Sequence, residues 1–181
     1  MIVLEYYLSL LDTQEEKDKL ELIFNEYGKR MKKKAYGFFG NESDAEDAVS
    51  ESILKIINIL NKIKEPICHE TQSLIVIIVK NTCRDMLRKR KRNPVFGLEE
   101  FDYEPAVTKV DFYENLSKEF IRDEIKKLPE IYRDVVMLKA FYHLHNKYIA
   151  EILCVNENTV RKRLERAREK LEYLKKGRDK R

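Results

Sequence analysis

Residues 146–170 read NKYIAEILCVNENTVRKRLERAREK, two helical patterns separated by three residues. In the first, Ile149, Ala150, Ile152 and Leu153 form a short apolar face. The interruption is Cys154-Val155-Asn156, with Val155 apolar and Asn156 placed to cap the second helix. In that second helix, Val160, Leu164, Ala167, Leu171 and Leu174 recur at four, three, four and three. Its other faces carry Asn158, Arg161, Lys162, Arg163, Glu165, Arg166 and Arg168. One face can therefore anchor the helix while the opposite face offers long donors to guanine edges or phosphates in a major groove. A basic surface helix in a bundle is the plainer alternative. The short first helix, the tight turn and the basic second helix together favour duplex DNA.

Upstream of this unit, Leu128-Pro129-Glu130 puts a proline at a helix start, and helices are predicted over roughly 130–142, 146–153 and 157–174. Helical spacing also runs from Leu116 to Lys127. Residues 93–115 contain Pro94, Gly97, Pro105 and the acids Glu99, Glu100, Asp102 and Glu104, and read as a linker. Before it, Leu20, Ile23, Phe24, Tyr27, Met31, Ala35 and Phe38 mark a helix over 20–39 that Gly40-Asn41 ends, with Asn41 or Ser43 capping the next. That next helix buries Ala48, Val49, Ile53, Ile56, Ile57, Leu60 and Ile63 and stops before Pro66. After a loop over 64–71, a third helix begins near Gln72. Its run from Ser73 to Val79 would pass for a buried strand, but helical spacing continues to Arg92 without Gly or Pro. The fold class is all-α: two small helical domains, 1–92 and 116–181, joined by the flexible acidic linker 93–115.

Charge follows this division. The chain of 181 residues has a formal net charge of +4. By segment the net is +2 for residues 1–92, −5 for 93–115 and +7 for 116–181. A basic C-terminal third is the electrostatic footprint that nucleic-acid binding needs. The cysteines Cys68, Cys83 and Cys154 are odd in number and lack framework spacing, which argues for a reducing interior. The start MIVLEYY has no basic region, and no run of about 18 apolar residues comes after it. A chain that stays in the cytoplasm is expected.

The stretches 128–136, 148–153 and 159–168 together resemble region four of extracytoplasmic-function sigma factors, the small promoter-finding subunits of bacterial RNA polymerase. Residues 41–51, NESDAEDAVSE, resemble region two, and Asn81 with Asp85, Leu87, Arg88 and the adjoining basic run resembles its end. The resemblance spans about residues 15–175, in order and with the right gap. It implies a sigma factor that binds core RNA polymerase and directs promoter recognition and transcription initiation, with promoter DNA as the second partner and room for an anti-sigma factor as a third. Neither catalysis nor a cofactor is implied.

Residue by residue, the resemblance assigns Asn158, Arg161, Lys162, Glu165 and Arg166 to the upstream promoter element, with Arg163 and Arg168 on backbone or solvent. Lys80, Asn81, Arg84, Arg88 and Lys91 share one stripe of the third helix. Within it, Asn81, Arg84 and Arg88 are the candidates for a partly unpaired downstream element, and Lys91 fits a solvated face. The loop 67–71 stands where the family receives a flipped base, which needs a shaped pocket because extrusion costs stacking. Asp47, Ser50, Glu51, Leu54 and Lys55 are the exposed candidates for docking on polymerase. The acids Asp44, Glu46, Asp47 and Glu51 equally suit a helix N-terminus. In the family the linker threads the polymerase channel, and its acids would suit an RNA-mimicking role. This sequence departs from the family in three places. Cys154 stands where Gly is usual, His145 or Asn146 where Ser caps, and the chain has no Trp, a residue commonly found beside the unpaired strand.

Two other classes compete. A helix-turn-helix regulator acting without polymerase would carry a sensor or dimerisation domain at the N-terminus, where this chain has an acidic helix and a basic one. A metal protein would draw on Cys68-His69 and His143-Leu144-His145, but a closed site wants four ligands at recognised spacing. No Gly-rich phosphate loop or nucleophile constellation is present.

Overall fold

The computed structural model describes residues 4–92, 125 and 127–178, with side chains left aside for Arg92 and for 173–178. The described residues contain α1 (Leu4–Ser9), α2 (Gln14–Phe39), α3 (Glu42–Ile57), a single 3-10 turn (Leu60–Lys62), α4 (His69–Arg92), α5 (Glu130–Ala140), α6 (Asn146–Leu153) and α7 (Glu157–Arg178). The expected all-α class holds for them. The linker 93–115, its acids and most of the helical pattern 116–127 lie outside the described residues.

Helix α2 starts six residues before its apolar pattern, because Thr13 caps it. The Thr13 hydroxyl accepts from the Glu16 backbone N–H at 3.2 Å while its own proton goes to the Glu16 carboxylate at 3.1 Å. The T-x-x-E pattern behind this cap was legible in the sequence, and the cap outweighs the missing apolar residues of the first turn. Gly40 ends the helix at φ +71, and its N–H returns to the Tyr36 carbonyl. Asn41 then caps α3, accepting from the Asp44 N–H at 2.9 Å.

Helices α2, α3 and α4 pack on one another, and α1 lies against α2. Leu20, Ile23, Tyr27, Met31 and Ala35 of α2 meet Ala45, Ala48, Val49, Ile53 and Ile56 of α3 and Leu74, Ile75 and Ile78 of α4, all buried. Each large aliphatic side chain buried this way contributes about 1.5–3 kcal/mol. Helix α4 explains its strand-like run. It is covered by α2 and α3 on one side and by α6 on another. Residues 73–75 and 77–83 are accordingly all buried. A helical segment buried nearly all round has no exposed polar face to reveal its period.

Helices α5, α6 and α7 pack together as the second unit, with Val135, Leu138, Ile149, Leu153, Val160 and Ala167 inside. Helix α5 ends at Ala140, two residues earlier than expected, and His143 stands beyond it at φ +50.

Candidate nucleic-acid interface

The geometry of the helix-turn-helix starts at Cys154, which adopts the left-handed conformation (φ 52, ψ 49). Its N–H reaches the Glu151 carbonyl at 3.3 Å, and the Val155 N–H reaches that of Ala150 at 3.0 Å. These two bonds form a Schellman close to α6, normally a place for glycine. A Cβ there costs about 1 kcal/mol. Asn156 caps α7, accepting from the Thr159 N–H at 2.7 Å. At the start of α6, His145 is the cap residue and makes no side-chain cap bond.

With both ends tied, α7 turns Val160 and Ala167 inward and leaves Asn158, Arg161, Lys162, Glu165 and Arg166 exposed on the other side. The five candidates for duplex DNA are thus brought onto one accessible surface, where Arg161 donates to Asn158. Arg168 is exposed and paired with Glu172 at 3.0 Å. Arg163 is different. It is half-buried, and burial together with the nearby Arg88 guanidinium lowers its affinity for its proton.

The stripe on α4 is not laid open in the same way. Lys80 and Asn81 are each only 8% exposed. Lys80 Nζ lies 2.7 Å from Glu130 Oε1 and 2.8 Å from Asp134 Oδ2, both on α5. Arg84 donates to Glu130 Oε2 at 2.9 Å. Asn81 donates to the Ile77 carbonyl at 2.8 Å and stands 3.4 Å from Asp134. The expectation that this stripe faces outward is corrected for Lys80, Asn81 and Arg84, because α5 and α6 pack over them. Arg88 and Lys91 remain exposed. Burial alone would raise the Glu130 carboxyl, yet the hydrogen bond from Lys80 and the charges of Lys80 and Arg84 outweigh it and hold it below the usual glutamate range. Lys34 of α2 stands near the same group. Burial and the Lys80 ammonium both lower its pKa.

On α3, Asp47 and Leu54 are exposed, while Ser50 and Glu51 are half-buried. Lys55 is not an exposed residue. Its side chain is 14% accessible, and its Nζ lies 3.5 Å from Glu51, 2.9 Å from Thr82 Oγ1 and 3.0 Å from Cys154 Sγ. It bridges toward the second helical unit. Asp44 is also engaged. Arg90 grips its carboxylate with both guanidinium nitrogens and lies 5.4 Å from the Phe39 ring centroid. That hydrogen-bonded charge holds the Asp44 carboxyl below the usual range.

The expected loop 67–71 is shorter than predicted, since His69, Glu70 and Thr71 already form the first turn of α4. Thr71 donates to the Glu65 carbonyl at 2.6 Å, which closes the entry to the helix. Cys83 is fully buried, and burial pushes its thiol up to about 12, so it stays protonated. Among the described residues no three His, Cys, Asp or Glu side chains cluster as metal ligands. Sequence reasoning missed Glu130 and Asp134. One signal was available: Asp134 falls on the face of α5 that buries Val135 and Leu138, where a carboxylate needs a cationic partner.

Comparison with known proteins adds two family matches. Residues 23–93 match the family model described as Sigma-70 region 2, and residues 120–171 match that described as Sigma-70, region 4. The RNA polymerase sigma factor SigV of Bacillus subtilis (strain 168) is 32% identical over 133 residues, covering 74% of this chain and 76% of that protein. The sigma factor SigZ of the same organism is 29% identical over 141 residues, covering 76% of each. Among solved structures, CnrH in complex with the cytosolic domain of CnrY aligns at a TM-score of 0.38 with 18% identity, over 96% of this chain and 95% of that one. The sigma factor RpoE from Bartonella quintana, in complex with the anti-sigma factor NepR, aligns at 0.38 with 20% identity, over 91% and 98%.

Proposed function

The chain belongs to the sigma-70 family of RNA polymerase sigma factors, and from that premise we propose a division of labour between its two helical units. As a sigma factor it binds core RNA polymerase and directs promoter recognition and transcription initiation. Sigma factors are not enzymes, and the chemistry belongs to the polymerase. A helix-turn-helix regulator working without polymerase is set aside by the match over residues 23–93.

The outer face of α7 reads the upstream promoter element. The observation that carries this reading is the exposure of Asn158, Arg161, Lys162, Glu165 and Arg166 on one side of a helix whose other side is anchored by Val160 and Ala167. Arginines can fork onto guanine, asparagine and glutamate can address adenine and cytosine edges, and the remaining basic groups meet phosphates. Helix α4 addresses the downstream element through Arg88 and, once uncovered, through Asn81 and Arg84. Helix α3 docks on polymerase through Asp47, Ser50, Glu51 and Leu54, an acidic and apolar face suited to a basic partner surface. Lys55 joins that face only when it is released from Cys154 and Thr82.

We assign residues 1–92 to region two, 93–115 to the linker and 116–181 to region four. Among the described residues no helix is long and apolar enough to cross a membrane. Work beside polymerase places the factor in the cytoplasm, and an anti-sigma factor is the further partner this reading admits. The test is reconstitution with core polymerase and then sequencing of the 5′ ends of the transcripts. Discrete starts sharing two upstream sequence elements are expected. Failure to associate with polymerase, or random starts, would overturn the reading.

A further inference from the structure

We propose that Asp44, in the first turn of α3, is a positioning residue for promoter opening: by gripping Arg90 it fixes the last turns of α4 in the rotation that presents Arg88 outward. This inference rests on the assignment of α4 to the downstream element. It gives Asp44 a role apart from polymerase docking, and Asp44 itself touches no DNA.

Residues 88–92 read RKRKR, five cations in succession at the end of α4. The fold does not treat them alike. Lys89 Nζ lies 2.8 Å from Asp85, one turn back on the same helix. Arg90 reaches across to α3, where its Nη1 donates to Asp44 Oδ2 at 2.6 Å and its Nη2 donates to Asp44 Oδ1. Arg88 and Lys91 are exposed and have no ion pair among the described residues. Residues two apart on a helix point to nearly opposite sides, so the grip on Arg90 holds the back of the helix while Arg88 stands at the front. Two of these cations are thus engaged by carboxylates of the chain itself, and two are left for an outside partner.

The socket for Arg90 is built before the arginine arrives. Asn41 Oδ1 accepts from the Asp44 N–H at 2.9 Å, and Asn41 Nδ2 donates to Asp44 Oδ2 at 2.7 Å. The same Nδ2 reaches the Phe39 carbonyl at 3.3 Å, and the Phe39 ring centroid lies 5.4 Å from the Arg90 guanidinium carbon. A forked pair on a carboxylate fixes direction as well as distance, which a lysine ammonium does not, and the ring adds a second constraint. Such an anchor is needed because the core stops short of this end. Residues 77–83 are buried, but from Arg84 onward every described side chain of α4 is at least partly exposed. Groups that recognise a ligand have to be held to about 0.5 Å and 10–20°. Rotation of the last turns beyond that would break the fork and carry Arg88 with it.

The test uses the full-length chain bound to core polymerase. Opening is followed on a promoter duplex taken from one of the mapped starts, with a fluorescent base analogue in its downstream element. Asp44→Asn and Arg90→Gln should each slow opening about threefold or more, the scale of coupling between residues in contact. The double variant should be no slower than the slower single, since one tie is lost only once. Affinity for core polymerase, measured by competition, should stay at the wild-type value. In an Arg88→Ala background, itself slow, Asp44→Asn should slow opening no further, because the group it positions is gone. A merely structural role would instead add to the Arg88→Ala defect. Wild-type opening by Asp44→Asn, or a further loss on top of Arg88→Ala, would overturn the proposal. So would additive losses in the double variant, which would make Arg90 a DNA contact in its own right, and weakened polymerase binding, which would make Asp44 a docking residue. Normal opening by Arg88→Ala alone would remove the α4 assignment, and the proposal with it. If Asp44→Asn fails to fold, Arg90→Lys serves, since it keeps the charge, loses the fork and should show the same pattern.

Discussion

Helices α4 and α7 are chemically alike and structurally opposite. Each sets an apolar stripe against a row of basic and amide side chains, and each is a candidate reader of nucleic acid. On α7 the row faces water, with Asn158, Arg161, Lys162, Glu165 and Arg166 all exposed. On α4 the middle of the row lies under another part of the same chain, and only Arg88 and Lys91 stay exposed. The difference does not lie in the residues. It lies in where the second unit docks, and it teaches that a binding stripe becomes a binding surface only when tertiary packing leaves it uncovered.

The comparison can be broken at several strengths. The largest effect should come from the apolar side of α4, which has to hold whatever its polar side does. Ile78 is fully buried, and Ile78→Ala should cost about 3 kcal/mol of stability in urea unfolding. A loss below 1 kcal/mol would mean that α4 is not anchored as described. Next, Arg161→Ala should weaken promoter binding by the polymerase-bound factor by about 2 kcal/mol without altering the fold, if that side chain makes a bidentate base contact. An equal loss on every DNA sequence would reassign Arg161 to phosphate.

Removing the cap of α7 tests whether its exposed row depends on local geometry. Asn156→Ala should lower thermal stability by about 1 kcal/mol and weaken promoter binding in proportion to the frayed first turn. An unaltered melting curve would count against the cap. Cys154→Gly should act the other way. Relief of the left-handed strain is partly offset by glycine's greater freedom in the unfolded chain, leaving a gain of about 0.5 kcal/mol. A clear loss of stability would mean that the contact of Cys154 with Lys55 matters more than the strain.

The smallest effect is expected from acid. Glu130 has a depressed carboxyl in its contact with α4, so its contribution to that contact is complete above about pH 4.5 and fades as pH falls further. The charged groups around it are Lys80 and Arg84 on α4, Lys34 on α2 and Asp134 on its own helix. Solvent screens the half-exposed Glu130, which keeps the effect modest. Scattering between pH 6 and pH 3.5 should therefore show expansion only in the lower part of that range, and less of it in Glu130→Gln. Expansion that begins near neutrality would point to another group.

Much of this was legible beforehand. The spacing of Val160, Leu164 and Ala167 set the inner face of α7, Gly40 marked a helix end, and Asn41 and Asn156 marked two helix starts. These features are local, and their physics is decided within a few residues. The start of α2 was legible too, through the T-x-x-E pattern from Thr13 to Glu16, but apolar periodicity alone placed it too late. The first turn of α4 was hidden because His69, Glu70 and Thr71 carry no apolar pattern. Lys55 looked like a surface residue because its partners, Thr82 and Cys154, are 27 and 99 positions away.

By itself the sequence determined the all-helical class of the described residues and the apolar faces of α2, α3 and α7, since periodicity, caps and breakers act at short range and do not depend on what lies across the molecule. Only the tertiary structure decided which basic stripe is open and which is closed. That outcome depends on ion pairs between residues some fifty positions apart, such as Lys80 with Glu130 and Asp134. No pattern along the chain specifies such a pairing, because oppositely charged side chains on two amphipathic helices can meet in many registers, and packing selects one.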